Sequence, residues 1–117
     1  MPLDVWLIEP QPDRVRLVQA RPDQPMVPLS EAIFDELRGA ALAQRHRVPR
    51  LAKALRVYYG PNGHFEFSPK EAEAVAEELE HLATKPLSPE ARHAAEELAQ
   101  LCRRAAHTGL AVHGYPD

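Results

Sequence analysis

The sequence predicts one α+β domain over residues 1–117, with a small, mainly antiparallel sheet and helices packed on one face. Three observations carry that prediction. Short runs of strand formers lie near both ends and in the middle of the chain. Three serines each stand directly ahead of apolar residues at helical spacing. The breaks between these segments are rich in proline and glycine.

Residues 4–9 form an apolar run of strand formers, and Pro10, Pro12 and Asp13 break it. Residues 14–19 alternate, with Val15 and Leu17 on one face and Arg14 and Arg16 on the other, as a half-buried strand does. The short spacer between the two runs predicts an antiparallel hairpin. Residues 21–28 carry three prolines and read as a loop. Ser30 is an N-cap with Glu31 in the first turn, and Ile33, Phe34, Leu37 and Ala41 recur at helical spacing. That helix should reach about residue 45, weakened by Gly39. Pro49 ends or restarts it, and Leu51 and Leu55 mark a short helix over 50–56.

Two readings of residues 57–67 stay open. Val57, Tyr58 and Tyr59 can pair with Phe65 and Phe67 across a turn at Gly60-Pro61-Asn62-Gly63, where Asn-Gly supplies the positive φ a tight turn demands. Alternatively the preceding helix runs on through Tyr59 and stops at Gly60. Ser68-Pro69-Lys70-Glu71 then starts a helix. Ser68 is the cap, Pro69 takes the first helical position and Glu71 completes a capping box. Ala72, Val75, Ala76, Leu79 and Leu82 form its apolar side. Ser88-Pro89-Glu90 starts another helix, with Ala91, Ala94, Ala95, Leu98, Leu101, Cys102 and Ala105 facing inward and Gly109 as its stop. No Glu follows Ser88 by three residues, so Ser88→Ala should cost less than Ser68→Ala. Residues 110–113 form a last strand, an inner or edge addition to the sheet.

The totals bound the class. A chain of 117 residues with 44% apolar and 26% charged residues buries a core large enough to stand without disulfides or metal. One cysteine excludes an internal disulfide and suits a reducing cytoplasm. The first ten residues resemble neither a signal peptide nor a membrane span. The Arg, Ala and Pro bias matches codon pressure in a GC-rich bacterium.

Chemistry is sparse. The six histidines (His46, His64, His81, His93, His107 and His113) fall in no zinc-binding pattern. His93 and Glu97 lie one turn apart but share a polar stripe with Gln100 and Arg104, which reads as a solvated face. Cys102 lies on an apolar stripe, so it reads as a small core residue. Ser30, Ser68 and Ser88 are committed to caps. The glutamates read as outward-facing, with no carboxylate pair set for acid–base work.

Charge segregation is the remaining signal. Residues 38–56 hold Arg38, Arg45, Arg47, Arg50, Lys53 and Arg56 without a single acid, whereas 66–97 hold nine acids against three bases. The basic segment is either a docking patch or the internal counterpart of the acidic helices.

Tyr59-Gly60-Pro61, then Phe67-Ser68-Pro69-Lys70-Glu71 with its Ala/Val/Leu helix, then Leu101-Cys102-Arg103-Arg104-Ala105-Ala106 ahead of Gly109 and Ala111-Val112, resemble the C-terminal half of the YfbM-like family. Those are small bacterial proteins of unassigned function. The resemblance covers at most residues 59–113; the first half does not match, and the chain is shorter than usual members. It implies a cytoplasmic α+β protein and supplies no catalytic residues.

The expectation is therefore a cytoplasmic, non-enzymatic protein-interaction module. Its basic segment (Arg45, Arg47, Arg50, Arg56) would meet an acidic protein. Small bacterial immunity proteins, which neutralise a toxin by binding it, offer an analogy in size and charge segregation. The net charge of −3 and the acidic helices disfavour nucleic acid. A homodimer stays open. The alternative is a small enzyme or ligand-binding protein with its site at the aromatic hairpin, through Tyr58, Tyr59 and His64. Neither reading calls for a metal or a cofactor.

Overall fold

Each of the three serines starts a helix. In a computed structural model, which describes residues 3–8, 26–56 and 65–116, the order is β1 (Leu3–Ile8), β2 (Met26–Leu29), α1 (Glu31–Ala43), α2 (Pro49–Arg56), β3 (Phe65–Phe67), α3 (Pro69–Leu82), α4 (Pro89–Thr108) and β4 (Ala111–Pro116). The fold is α+β, with helices packing on an antiparallel sheet.

The strand order is β2-β1-β4-β3, every pair antiparallel. The terminal strands β1 and β4 thus sit side by side in the centre. The strand expected over 110–113 is an inner one. Directly opposed residues share a face, so the register puts Val5, Val27, Leu29, Phe67 and Val112 on one side. All five are buried. Against them lie Phe34 and Leu37 of α1, Leu51 and Leu55 of α2, Leu79 of α3, and Leu98 and Cys102 of α4. Burying each such leucine or phenylalanine stabilises the fold by about 1.5–3 kcal/mol. The opposite face is closed at Ala111 and His113, both fully buried.

The structure corrects the reading of residues 21–28 as a loop, because Met26–Leu29 is a strand. Pro28 stands opposite Asp4 and is exposed, while Val27 and Leu29 on either side are buried. A proline already holds the extended φ a strand can use, and its missing N–H does no harm where no neighbour needs it. Three prolines in eight residues masked a two-residue alternation. The partners found for β1 are β2 and β4; the strand expected over 14–19 lies outside the described residues. Likewise β3 pairs with β4, and the turn and first arm of the aromatic hairpin, residues 57–64, lie outside the description.

At Gly114 the backbone needs a glycine for space. Phe65 is its cross-strand partner, and a Cβ at Gly114 would run into the Phe65 ring. The aromatic thus covers a glycine on the neighbouring strand. Gly109 is needed for conformation, since it ends α4 at φ 72° and its N–H bonds the carbonyl of Ala105.

The helix starts differ in kind. Ser68 Oγ accepts the Glu71 N–H at 3.2 Å, and Glu71 returns the bond to the Ser68 N–H at 3.1 Å, a complete capping box. Ser88 Oγ accepts the Ala91 N–H at 3.2 Å. Its own N–H and hydroxyl both donate to Glu36 of α1, at 2.6 and 2.8 Å. Glu36 fills the role of the glutamate missing three residues after Ser88. These bonds hold its carboxyl below the usual value, the Ser88 backbone N–H contributing most.

Candidate interaction site at the α1–α2 corner

Between α1 and α2 the chain turns through residues 44–48. The N–H groups of Arg47 and Val48 both bond the Gln44 carbonyl, at 2.7 and 2.9 Å, and Val48 is fully buried as the anchor of the corner. Val48 accepts the first helical bond of α2, from the Ala52 N–H at 2.8 Å, so it occupies the N-cap position. Valine has no side-chain acceptor for the N–H groups of the first turn. Glu78 of α3 supplies one: its Oε1 accepts the Leu51 N–H at 2.9 Å, and its Oε2 takes the Arg50 guanidinium at 3.2 Å.

Glu78 is 6% exposed, which overturns the expectation that the glutamates all face outward. A buried carboxylate is tolerable only when its lone pairs are met, and here a backbone donor at a helix N-terminus and an arginine meet them. The signal was present in the sequence. Glu78 follows Val75 by three residues and precedes Leu82 by four, so it lies on the edge of the buried stripe.

Facing the corner across a groove of about 440 Å³ is the outer side of α3. His46, Arg47, Pro49 and Arg50 form one wall, and Ala74, Glu77, Glu78 and His81 the other. The four predicted partner-binding arginines divide unequally. Arg45 is exposed, with Nη1 on the Leu42 carbonyl at 3.3 Å. Arg47 is exposed, and its guanidinium makes no hydrogen bond or ion pair among the described residues. Arg50 is half-exposed and tied to Glu78. Arg56 is the last residue of α2, and its side chain lies outside the description. The basic segment is thus partly an internal counterpart of the acidic helix, through Arg50, and partly an open surface, through Arg45, Arg47 and Lys53.

The alternative site fares differently. Tyr58, Tyr59 and His64 lie outside the described residues. Phe65 and Phe67, with rings 5.2 Å apart, line a space of about 20 Å³ whose other walls are core side chains such as Leu55, Leu98 and Cys102. That is about one water's room with no polar partner, too small for a ligand. Cys102 is fully buried, and burial pushes its thiol up to about 12, so no thiolate is available at neutral pH.

The described histidines do not converge. His93 meets Glu97 at 2.7 Å on the exposed side of α4, and His107 is exposed near that helix's end. His46 and His81 share the groove, where the Nε2 atom of His81 is buried without a hydrogen-bond partner among the described residues. His113 is fully buried in β4, with Trp6 and Glu66 directly opposite it in the register. Among the described residues no group of three His, Cys, Asp or Glu side chains could hold a metal ion. Nor is any described helix long and apolar enough to cross a membrane. Comparison with protein-family models, with curated proteins and with solved structures finds no match to this chain.

Proposed function

We propose that this protein is a non-enzymatic interaction module that takes an acidic protein segment at the α1–α2 corner. The observation that carries the reading is Arg47, an exposed guanidinium at the lip of a groove with no partner among the described residues. A charge that no described residue pairs stays available for a ligand, whereas Arg50 is tied to Glu78. His46 lines the same wall, Arg45 and Lys53 are exposed in the same segment, and no acid occurs anywhere in residues 38–56. An arginine fork matches a carboxylate in shape as well as charge.

The test uses a fluorescently labelled glutamate-rich peptide as the acidic probe. Binding should weaken steeply as salt screens the exposed charges. Arg45→Glu with Arg47→Glu should weaken it by at least about tenfold while the melting temperature stays near wild type, since neither side chain supports the core. Undiminished binding by that variant, or no binding by wild type at low salt, defeats the reading. The hairpin alternative rests on Tyr58, Tyr59 and His64, which lie outside the described residues.

A further inference from the structure

The groove at the corner has two lips of opposite sign, joined by the Arg50–Glu78 ion pair and carrying further exposed charge on each side. On one stands Arg47, with Arg45 two residues before it in the chain, both exposed. On the other, α3 presents Glu77 at the groove and Glu73 one turn earlier on the same stripe, both exposed. No hydrogen bond or salt bridge joins either glutamate to another described residue, and the opposite charge they stand near is Arg103. Arg103 itself is committed to Glu80, at 2.5 and 3.0 Å. Arg47 and Glu77 thus stand on opposite walls of a groove of about 440 Å³, neither with a hydrogen bond or ion pair among the described residues.

We propose that the acidic partner of the α1–α2 corner is the α3 lip of a second copy of this chain, in a two-fold dimer. This rests on the reading of the corner as an acid-binding surface and names its occupant. A two-fold axis running along the groove, between the facing copies, sets each cationic lip on the other copy's acidic lip, so one patch makes the same contact twice. A foreign acidic segment would engage the cationic lip alone and leave Glu73 and Glu77 unmet. A second copy carries both signs in the required order. Because the matched groups are surface charges, they govern specificity and salt response more than raw affinity. The dimer is therefore a weak, salt-sensitive one.

Sedimentation of the wild-type chain over a range of concentrations tests this at about 0.01 M and about 1 M salt, where the screening length falls from about 30 Å to about 3 Å. The dimer should form in the first and dissociate at least about tenfold more readily in the second. Two variants sharpen the test, Arg45→Glu/Arg47→Glu and Glu73→Arg/Glu77→Arg. Each alone should sediment as a monomer at low salt. Their equimolar mixture should recover a dimer of one copy each, because both contacts again join opposite charges. A wild-type chain that stays monomeric at low salt overturns the self-pairing, as does a dimer indifferent to salt or a mixture that fails to associate. Should that monomer still bind the glutamate-rich peptide through Arg47, the acid-binding corner stands and only its occupant is wrong. Loss of both leaves neither.

Discussion

The N-terminus of α3 and the N-terminus of α2 solve one problem by opposite means. Both must satisfy first-turn N–H groups that have no helical partner. At α3 the answer lies within four residues, where Ser68 and Glu71 bond each other's backbone. At α2 the capping position is Val48, a core anchor, and the acceptor comes from Glu78, 27 residues beyond Leu51. The start of α4 lies between these cases, with Ser88 local and Glu36 distant. A local cap forms with its helix. A distant cap forms only once two helices have packed, so it ties helix stability to tertiary structure. It also places carboxylates where their charge is consumed, which is why Arg50 is tied down while Arg47 has no partner among the described residues.

The largest loss of stability is expected from Glu78→Ala. It strands the buried Leu51 N–H and frees Arg50, and should lower unfolding free energy by about 2–3 kcal/mol in urea titration. Glu78→Gln keeps an acceptor for Leu51 and should recover part of that loss. A change under about 0.5 kcal/mol for the alanine variant would mean that α2 does not depend on α3 for its cap.

Ser88→Ala comes next, at about 1.5 kcal/mol, against about 1 kcal/mol for Ser68→Ala. The sequence alone reverses that order, because it shows no glutamate behind Ser88. The structure puts Ser88 first, since its hydroxyl both caps Ala91 and donates to Glu36. Thermal melts of the two variants side by side decide which order is right.

The Glu36 bond should also be visible in acid. Its folded carboxyl titrates below the ordinary 4.5, so its contribution is complete above that value and fades as pH falls through the depressed one. Glu36→Gln should therefore destabilise at neutral pH and make little difference in strong acid, near about pH 2. Equal destabilisation at both pH values would show that the bond does not depend on the ionised carboxylate.

The smallest effect is a gain. Gly39 is an exposed interior residue of α1, and a Cβ there would meet nothing within 4 Å. Gly39→Ala should raise stability by up to about 1 kcal/mol, in a helix whose own cap is local. A loss on calorimetry would point to a packing contact at that position.

Helices were the legible part of this chain. Their apolar spacing and their Ser-Pro starts act over three or four residues, a range at which sequence order and spatial order coincide. Leu37, Val75, Leu98 and Cys102 could be assigned to the core from periodicity alone, and all are buried. β2 was hidden because proline content is read before alternation, and four residues leave room for only one full alternation. The edges of the candidate site were equally visible as charge runs, yet which arginine is open and which is tied was not. That depended on Glu78, whose burial follows from α3 lying against the α1–α2 corner.

By itself the sequence determined the fold class, where α1, α3 and α4 start, and the segregation of charge between 38–56 and 66–97. These are properties of neighbours along the chain. Only the tertiary structure decided the strand order, with β1 and β4 central, and the two capping bonds that cross the fold. It alone separated Arg47 from Arg50. A hydrogen bond spanning 27 or 52 residues has no local signature, because its energy is gained only after packing has brought donor and acceptor within 3 Å.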